Sequence, residues 1–336
     1  GRRGDMAGAP ARGRGRRGRD MGGGRDATAF GAAIIVGGMV VLGFTDTLVR
    51  VVANEAGLWQ FHLTRSGMAL PLLVVGAAVL GLPLRARRPG AVAIRAGVQT
   101  LSMLLFYAAL AAAPAAQVGA ALFTAPLWVL IFAAGFFGRP IGPSRMLAVA
   151  LGFAGVLVML RPDAASLSAM TLAPVAAGAL YGLGNLLTRE WCGEEPVGAL
   201  LLSYFGGLGL AGAAMLVVLA AFEPPAAWAE AAPFIAAGWR APSLLVLGVV
   251  LVQAAGALVA VGMVARGYQS GDTSTLAVFE YSYVLSVAAW AYLLWGERLG
   301  PLDLLGMAMI VSAGAIVALA PAPPPSRRSP PADPAA

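Results

Sequence analysis

Ten apolar runs follow one another along the chain, at about residues 30–49, 59–80, 92–112, 115–137, 146–160, 172–187, 200–221, 244–264, 276–295 and 302–320. Each approaches the ~20 residues that an α-helix needs to cross the hydrocarbon of a bilayer. A soluble core accounts for one or two such runs, but ten in sequence imply a membrane bundle. Composition agrees. Only 12% of the 336 residues are charged, against about 25% in soluble domains.

Several function classes are excluded by what is missing. The net charge of +7 would suit a nucleic-acid binder, yet eight arginines and three aspartates lie in the first 26 residues. Residues 1–28 therefore read as a disordered Arg/Gly-rich tail that sets topology, and no nucleic-acid partner is expected. The tail has no apolar core of a secretory signal, and Met21 is the expected start of translation. Residues 322–336 read as a Pro-rich disordered tail. A single cysteine, Cys192, excludes an internal disulfide, and a single histidine, His62, leaves no histidine-based metal cluster. The chain has no lysine, hence no P-loop, so it is not its own ATP-driven pump. Neither cofactor nor metal is called for.

Arginine placement orients the bundle, because cationic loops stay cytoplasmic. With the amino terminus inside, 18 arginines fall on inner segments and four (Arg50, Arg161, Arg240 and Arg298) on outer ones, with Arg65 inside a helix. Arg95 counts here among the inner loops. Both termini are expected to be cytoplasmic.

The stretch "FGRPIGPSR" at 137–145 returns as "WGERLGPLD" at 295–303, aligning Gly138, Gly142 and Pro143 with Gly296, Gly300 and Pro301. Arg139 and Arg145 are replaced by Glu297 and Asp303. Two five-helix halves explain this, since five is odd and the second half is then inverted. One copy of the turn faces the cytoplasm and keeps its arginines, while the other lies outside. "GVQT" at 97–100 and "LVQA" at 251–254 form a weaker echo that places Gln99 and Gln253 in corresponding helices.

These stretches resemble the drug/metabolite transporter superfamily, in its ten-helix branch with two EamA-type repeats. The resemblance is carried by "FTDTLVR", "WQFHLTRSGMAL", "FYAALAAAPAAQVGAALFTAPLWVL" and "RPIGPSRMLAVALGFAGVLVMLRP" in the first half. The second half adds "ALYGLGNLLTRE", "FEYSYVLSVAAW" and "GERLGPLD". It implies an all-α integral membrane protein with repeats at 29–162 and 171–321, moving small polar or amphipathic metabolites, often outward, across the cytoplasmic membrane. Arg139 departs from the pattern, which commonly has an acidic residue after that glycine.

Charge at membrane depth costs roughly 2.5–3.5 kcal/mol on insertion scales and is kept mainly where it is partnered or functional. Asp46 and Arg50, four residues apart, are expected either to pair within helix 1 or to serve substrate binding or a gate. Arg65 is too deep to snorkel easily, so it is expected to hold an anionic substrate group or close an outer gate on Asp46. Glu280 is the expected proton-coupling residue, neutral in one conformation and ionised in another. Tyr281 and Tyr283, with Trp128 and Tyr107, are candidate aromatic walls. Gln99 and Gln253 either line the cavity or bond between helices. Gly178 and Gly182 have close-packing spacing. Trp59, Trp290, Trp295 and Trp191 read as interfacial anchors, and 223–243 as an outer loop, interfacial or unstructured.

The function expected from the sequence is secondary active transport of a small metabolite by alternating access, with lipid and protons as further partners. The substrates considered are an amino acid, a nucleoside-like compound or a vitamin. An uncoupled facilitator is the first rival, and a channel or an intramembrane enzyme the remoter ones. With one histidine, no lysine and scattered acids, the chain presents no catalytic set.

Overall fold

The computed structural model describes residues 14–112, 122, 124–138, 141–160, 172–222, 224–231, 233–296 and 299–319. Every regular element among them is helical. In chain order they are α1 (Arg14–Thr47), α2 (Val49–Ala53), α3 (Leu58–Leu80), α4 (Pro89–Ala112), α5 (Ala125–Phe137), α6 (Pro143–Leu160) and α7 (Leu172–Glu190). After these come α8 (Val197–Ala221), α9 (Ala226–Ala231), α10 (Pro233–Ala236), α11 (Leu244–Ser270), α12 (Thr273–Phe279), α13 (Ser282–Trp295) and α14 (Pro301–Leu319). Six stretches are long and apolar enough to cross a bilayer, and three shorter apolar helices, at Ala125–Phe137, Pro143–Val158 and Pro301–Ile316, accompany them. Leu210, Val217, Val79 and Leu244 stand on the outer surface at 69–87% exposure, as side chains facing lipid would.

Helix boundaries follow local chemistry. α5 and α13 end at Gly138 (φ 58°) and Gly296 (φ 68°), both left-handed caps. Glycine reaches that region without steric cost. Pro143 and Pro301 then open α6 and α14, where a missing N–H costs nothing. The echo seen in the sequence is thus a left-handed glycine cap and a proline helix start used twice. α1 starts at Arg14, inside the stretch expected to be disordered; from Ala11 to Thr47 the chain has no proline, so an apolar helix extends backwards without a new nucleus.

The principal packings are α6 on α14, α3 on α8, α1 on α11, α4 on α7, α1 on α13, α5 on α7, α3 on α11 and α4 on α8. Exchanging α1 with α7, α3 with α8, α4 with α11, α5 with α13 and α6 with α14 leaves this set unchanged. The close approaches obey the same exchange. A Cβ on Gly43 would strike Ser286 across the α1–α13 contact, and one on Gly182 would lie 2.8 Å from Ala125 O and 3.4 Å from Trp128 Cβ across α7–α5.

The stretch 235–240 between α8 and α11 is packed on α3. Trp59 Nε1 donates to Ile235 O at 2.8 Å, Gln60 Nε2 to Arg240 O at 2.7 Å, and Arg240 N to Gln60 Oε1 at 2.9 Å. Trp59 is therefore buried under this segment rather than free at the interface.

Candidate functional site

Two helices break where polar residues meet at the centre. α12 and α13 are one apolar stretch interrupted at Glu280 and Tyr281, where Glu280 N bonds Ala277 O (3.2 Å) and Tyr281 N bonds Val278 O (3.3 Å) in tightened i to i+3 fashion. Across the bundle, α1 and α2 are separated at Leu48, whose N bonds Thr45 O at 3.1 Å.

Glu280 is the hub of a buried relay. Its Oε1 accepts from Asn185 Nδ2 (2.9 Å) and from the Tyr181 hydroxyl (3.2 Å). Asn185 Oδ1 in turn accepts from Gln99 Nε2 at 3.0 Å. Tyr181, Asn185 and Thr188 recur at i, i+4 and i+7 and so form one stripe of α7. Facing them, α4 carries Arg95 and Gln99 one turn apart. Arg95 Nε donates to Thr188 Oγ1 at 3.0 Å and Nη1 to Leu200 O at 3.3 Å. Gly184 makes the approach possible, since a Cβ there would sit 2.7 Å from Gln99 Nε2.

A second charged couple, Asp46 and Arg65, lines the same cavity. Asp46 accepts from the Tyr283 hydroxyl at 2.7 Å. Arg65 is buried, with its guanidinium 4.7 Å from the Phe61 ring centre and its Nε without a protein hydrogen-bond partner. His62 packs edge-on to Tyr107, 4.9 Å between ring centres. The cavity wall joins both couples, combining Asp46, Arg65, Arg95, Gln99, Asn185 and Glu280 with Phe106, Tyr107, Tyr181, Tyr204 and Tyr283. About 120 Å³ inside it is open to water molecules, room for several at the ~10–15 Å³ each needs on that measure.

Four of the seven expected site residues, Asp46, Arg65, Gln99 and Glu280, share this wall; Gln253 and Tyr281 do not. Gln253 reaches Thr45 O at 3.0 Å, supporting the broken end of α1 rather than the cavity. Tyr281 is fully buried and donates to Val149 O at 3.3 Å, packed against Gly152 of α6. The break shifts the helical phase, so Tyr283 rather than Tyr281 faces the cavity. Arg50 lies in α2, but its side chain is outside the described residues, as are Arg139 and Glu297. The i, i+4 helix expected to pair Asp46 with Arg50 is interrupted at Leu48.

Arg95, Asn185 and Tyr204 were missed. Arg95 stands six residues into its helix, where an arginine ordinarily signals an inner loop, yet it is 2% exposed. Asn185 had a signal: "GFTDTLVR" at 43–50 aligns with "GLGNLLTR" at 182–189, placing Asp46 over Asn185 and Arg50 over Arg189. Those glycines, Gly43 and Gly182, make the equivalent contacts described above.

The arginine-bearing end is tied across the two halves. Arg145 Nη2 lies 3.6 Å from Asp272 Oδ2. Glu195 accepts the backbone N–H groups of Arg87 and Arg88, each at 2.7 Å. Gln269 Nε2 bridges Cys192 O (2.7 Å) and Glu195 O (2.8 Å), while Arg189 holds Gln269 O. Burial pushes the Asp272 carboxyl up. Arg145 and the hydrogen bonds from Ser274 and Thr275 outweigh this, holding it below the usual carboxylate range.

Residues 29–161 match the EamA-like transporter family. A riboflavin transporter of Rhizobium johnstonii is 30% identical over 192 residues, covering 52% of this chain and 62% of that protein. A riboflavin transporter of Brucella anthropi is 28% identical over 131 residues, covering 39% and 45%. The chain thus spans less than two thirds of either curated relative. A solved crystal structure superposes with a TM-score of 0.69 at 18% identity, over 87% of this chain and 97% of that one, a likeness of fold. Residues 29–161 thus resemble the EamA-like transporter family, and with six helices long and apolar enough to cross a bilayer the chain is a multi-pass membrane protein.

Proposed function

We propose that this protein is a secondary active transporter of the cytoplasmic membrane whose substrate is riboflavin or a similar planar, amphipathic vitamin. Ten crossings, in two inverted five-helix repeats with both termini cytoplasmic, would rock about the central cavity and expose it to each side in turn. The observation that carries the reading is a buried cavity holding two arginines and two carboxyl groups beside a broken helix. Charges are retained at that depth mainly for function. The aromatic side chains suit a flat ring system, and the names of the relatives supply the vitamin.

In this scheme Glu280 is the proton-responsive group, and its relay through Asn185 to Gln99 conveys its ionisation to the substrate wall. A three-ring ligand needs more room than the cavity now offers, so binding requires the helices around it to part. Breaking the Arg145–Asp272 tie would open one end, and freeing α3 from the 235–240 segment would open the other.

The test is riboflavin flux into proteoliposomes under an imposed pH difference. Wild-type protein is expected to accumulate riboflavin beyond equilibrium, and Glu280→Gln to equilibrate it without accumulation. Saturable flux that ignores the pH difference in both would establish a facilitator, and absence of saturable flux would remove the transport reading.

A further inference from the structure

We infer that Arg95 and Gln99 together read a –CO–NH– edge of the substrate, the donor–acceptor face of a lactam or cyclic imide. This rests on the transport reading above and assigns recognition within its cavity.

The polarity of the relay is fixed from one end. Glu280 Oε1 accepts from Asn185 Nδ2, so Asn185 turns its amide nitrogen to Glu280 and its oxygen to Gln99. Gln99 must answer with its own nitrogen, pinned over Gly184. Its carbonyl, Oε1, is then left without a protein partner among the described residues, and it is absent from the sealed, unpartnered polar atoms. Since Gln99 lines the cavity, that oxygen is an acceptor offered to a ligand.

Arg95 supplies the complementary half. Its guanidinium has five N–H donors, and Nε and Nη1 use two of them on Thr188 and Leu200. It forms no ion pair among the described residues, though it is 2% exposed. A buried cation with no counter-charge and three free donors is costly unless something arrives to accept from it. One helical turn on the same face separates it from Gln99, about 5–6 Å between Cβ atoms. A guanidinium donor and an amide acceptor at that spacing converge on adjacent ring atoms, a carbonyl oxygen for Arg95 and an N–H for Gln99. An aliphatic or purely anionic substrate would leave Gln99 Oε1 unpaired. The pyrimidinedione edge of a flavin has both groups, as does that of a uracil ring.

The decisive measurement keeps the protein intact and changes the ligand. Full-length protein in nanodiscs is titrated with riboflavin and with 3-methylriboflavin, following quenching of flavin fluorescence. Methylation removes the N–H that Gln99 would accept, so wild-type protein should bind the methylated compound about tenfold more weakly. In Gln99→Leu the two ligands should bind alike. A monodisperse size-exclusion profile of the Gln99→Leu protein checks that its fold survives. Equal binding of the pair by wild-type protein overturns the inference, and so does a penalty that persists undiminished in Gln99→Leu. If riboflavin itself does not bind, the vitamin assignment falls, and uridine against 3-methyluridine decides the edge reading. Absence of a methylation penalty in both pairs ends it.

Discussion

Replacing Asn185 by alanine cuts the central relay at its middle link, and the structure sets the size of the effect. Two hydrogen bonds disappear, from Gln99 at 3.0 Å and to Glu280 at 2.9 Å. The orphaned Gln99 amide costs about 1–3 kcal/mol. Glu280 loses one of the two donors to its Oε1, worth about 1.5–3 kcal/mol if that group is charged. The sum is about 2.5–6 kcal/mol, a large part of the 5–15 kcal/mol that holds a typical domain. The assay is reversible unfolding in mixed micelles, followed by tryptophan fluorescence. A partner variant, Gln99→Leu, removes the donor that Asn185→Ala strands, so the double variant should be at least 1 kcal/mol less destabilised than the two single effects added. If Asn185→Ala lies within 0.5 kcal/mol of wild type, or the two changes simply add, the three residues are not a coupled relay.

Three further outcomes follow from contacts elsewhere. A carboxyl held below its ordinary range stabilises the fold above its unfolded value and loses that contribution as pH falls through the folded one. The stability gap between wild type and Asp272→Asn should therefore stay flat from pH 5 to 8 and close below about pH 4, as read by thermal unfolding. Gly43→Ala should abolish folding, because the new Cβ overlaps Ser286 Oγ and lies 2.7 Å from its Cβ. Ser286→Gly in the same chain should restore much of the folded yield in size-exclusion chromatography. Cys192 is wholly buried and burial pushes its thiol pKa up, so maleimide labelling should be slow at pH 7. Gln269→Ala, which frees Cys192 O and Glu195 O, should speed that labelling several-fold.

Much of the fold was visible in the sequence because membrane helices declare themselves by length and apolarity. The Gly–Pro turn was legible for a related reason: left-handed caps and helix starts are narrow demands that few residues meet. Asp46, Arg65 and Glu280 could be found because each is charged where charge is costly. Arg95 was hidden by the same rule, since an arginine near a helix end is ordinarily a topology signal, and only packing reveals that α8 buries it. Asn185 is uncharged and gave no such alarm. Tyr281 and Tyr283 could not be separated, because the helix break between Phe279 and Ser282 changes which face each residue presents. The symmetric placing of Gln99 and Gln253 was real in sequence yet unequal in role. Gln253 bonds the main-chain carbonyl of Thr45 near the end of α1.

The echoed turn has one last implication. Asp303 accepts from Gly300 N at 2.6 Å within its own turn, whereas Arg145, at the matching place, reaches across to Asp272 of the other half. On the proposed alternating-access scheme, this ion pair is worth about 1 kcal/mol for a partly shielded pair, roughly a fivefold weighting of the pose in which it is made. The bonds of Trp59 and Gln60 to the 235–240 segment work at the other mouth, and cargo must supply the difference wherever such a contact has to break.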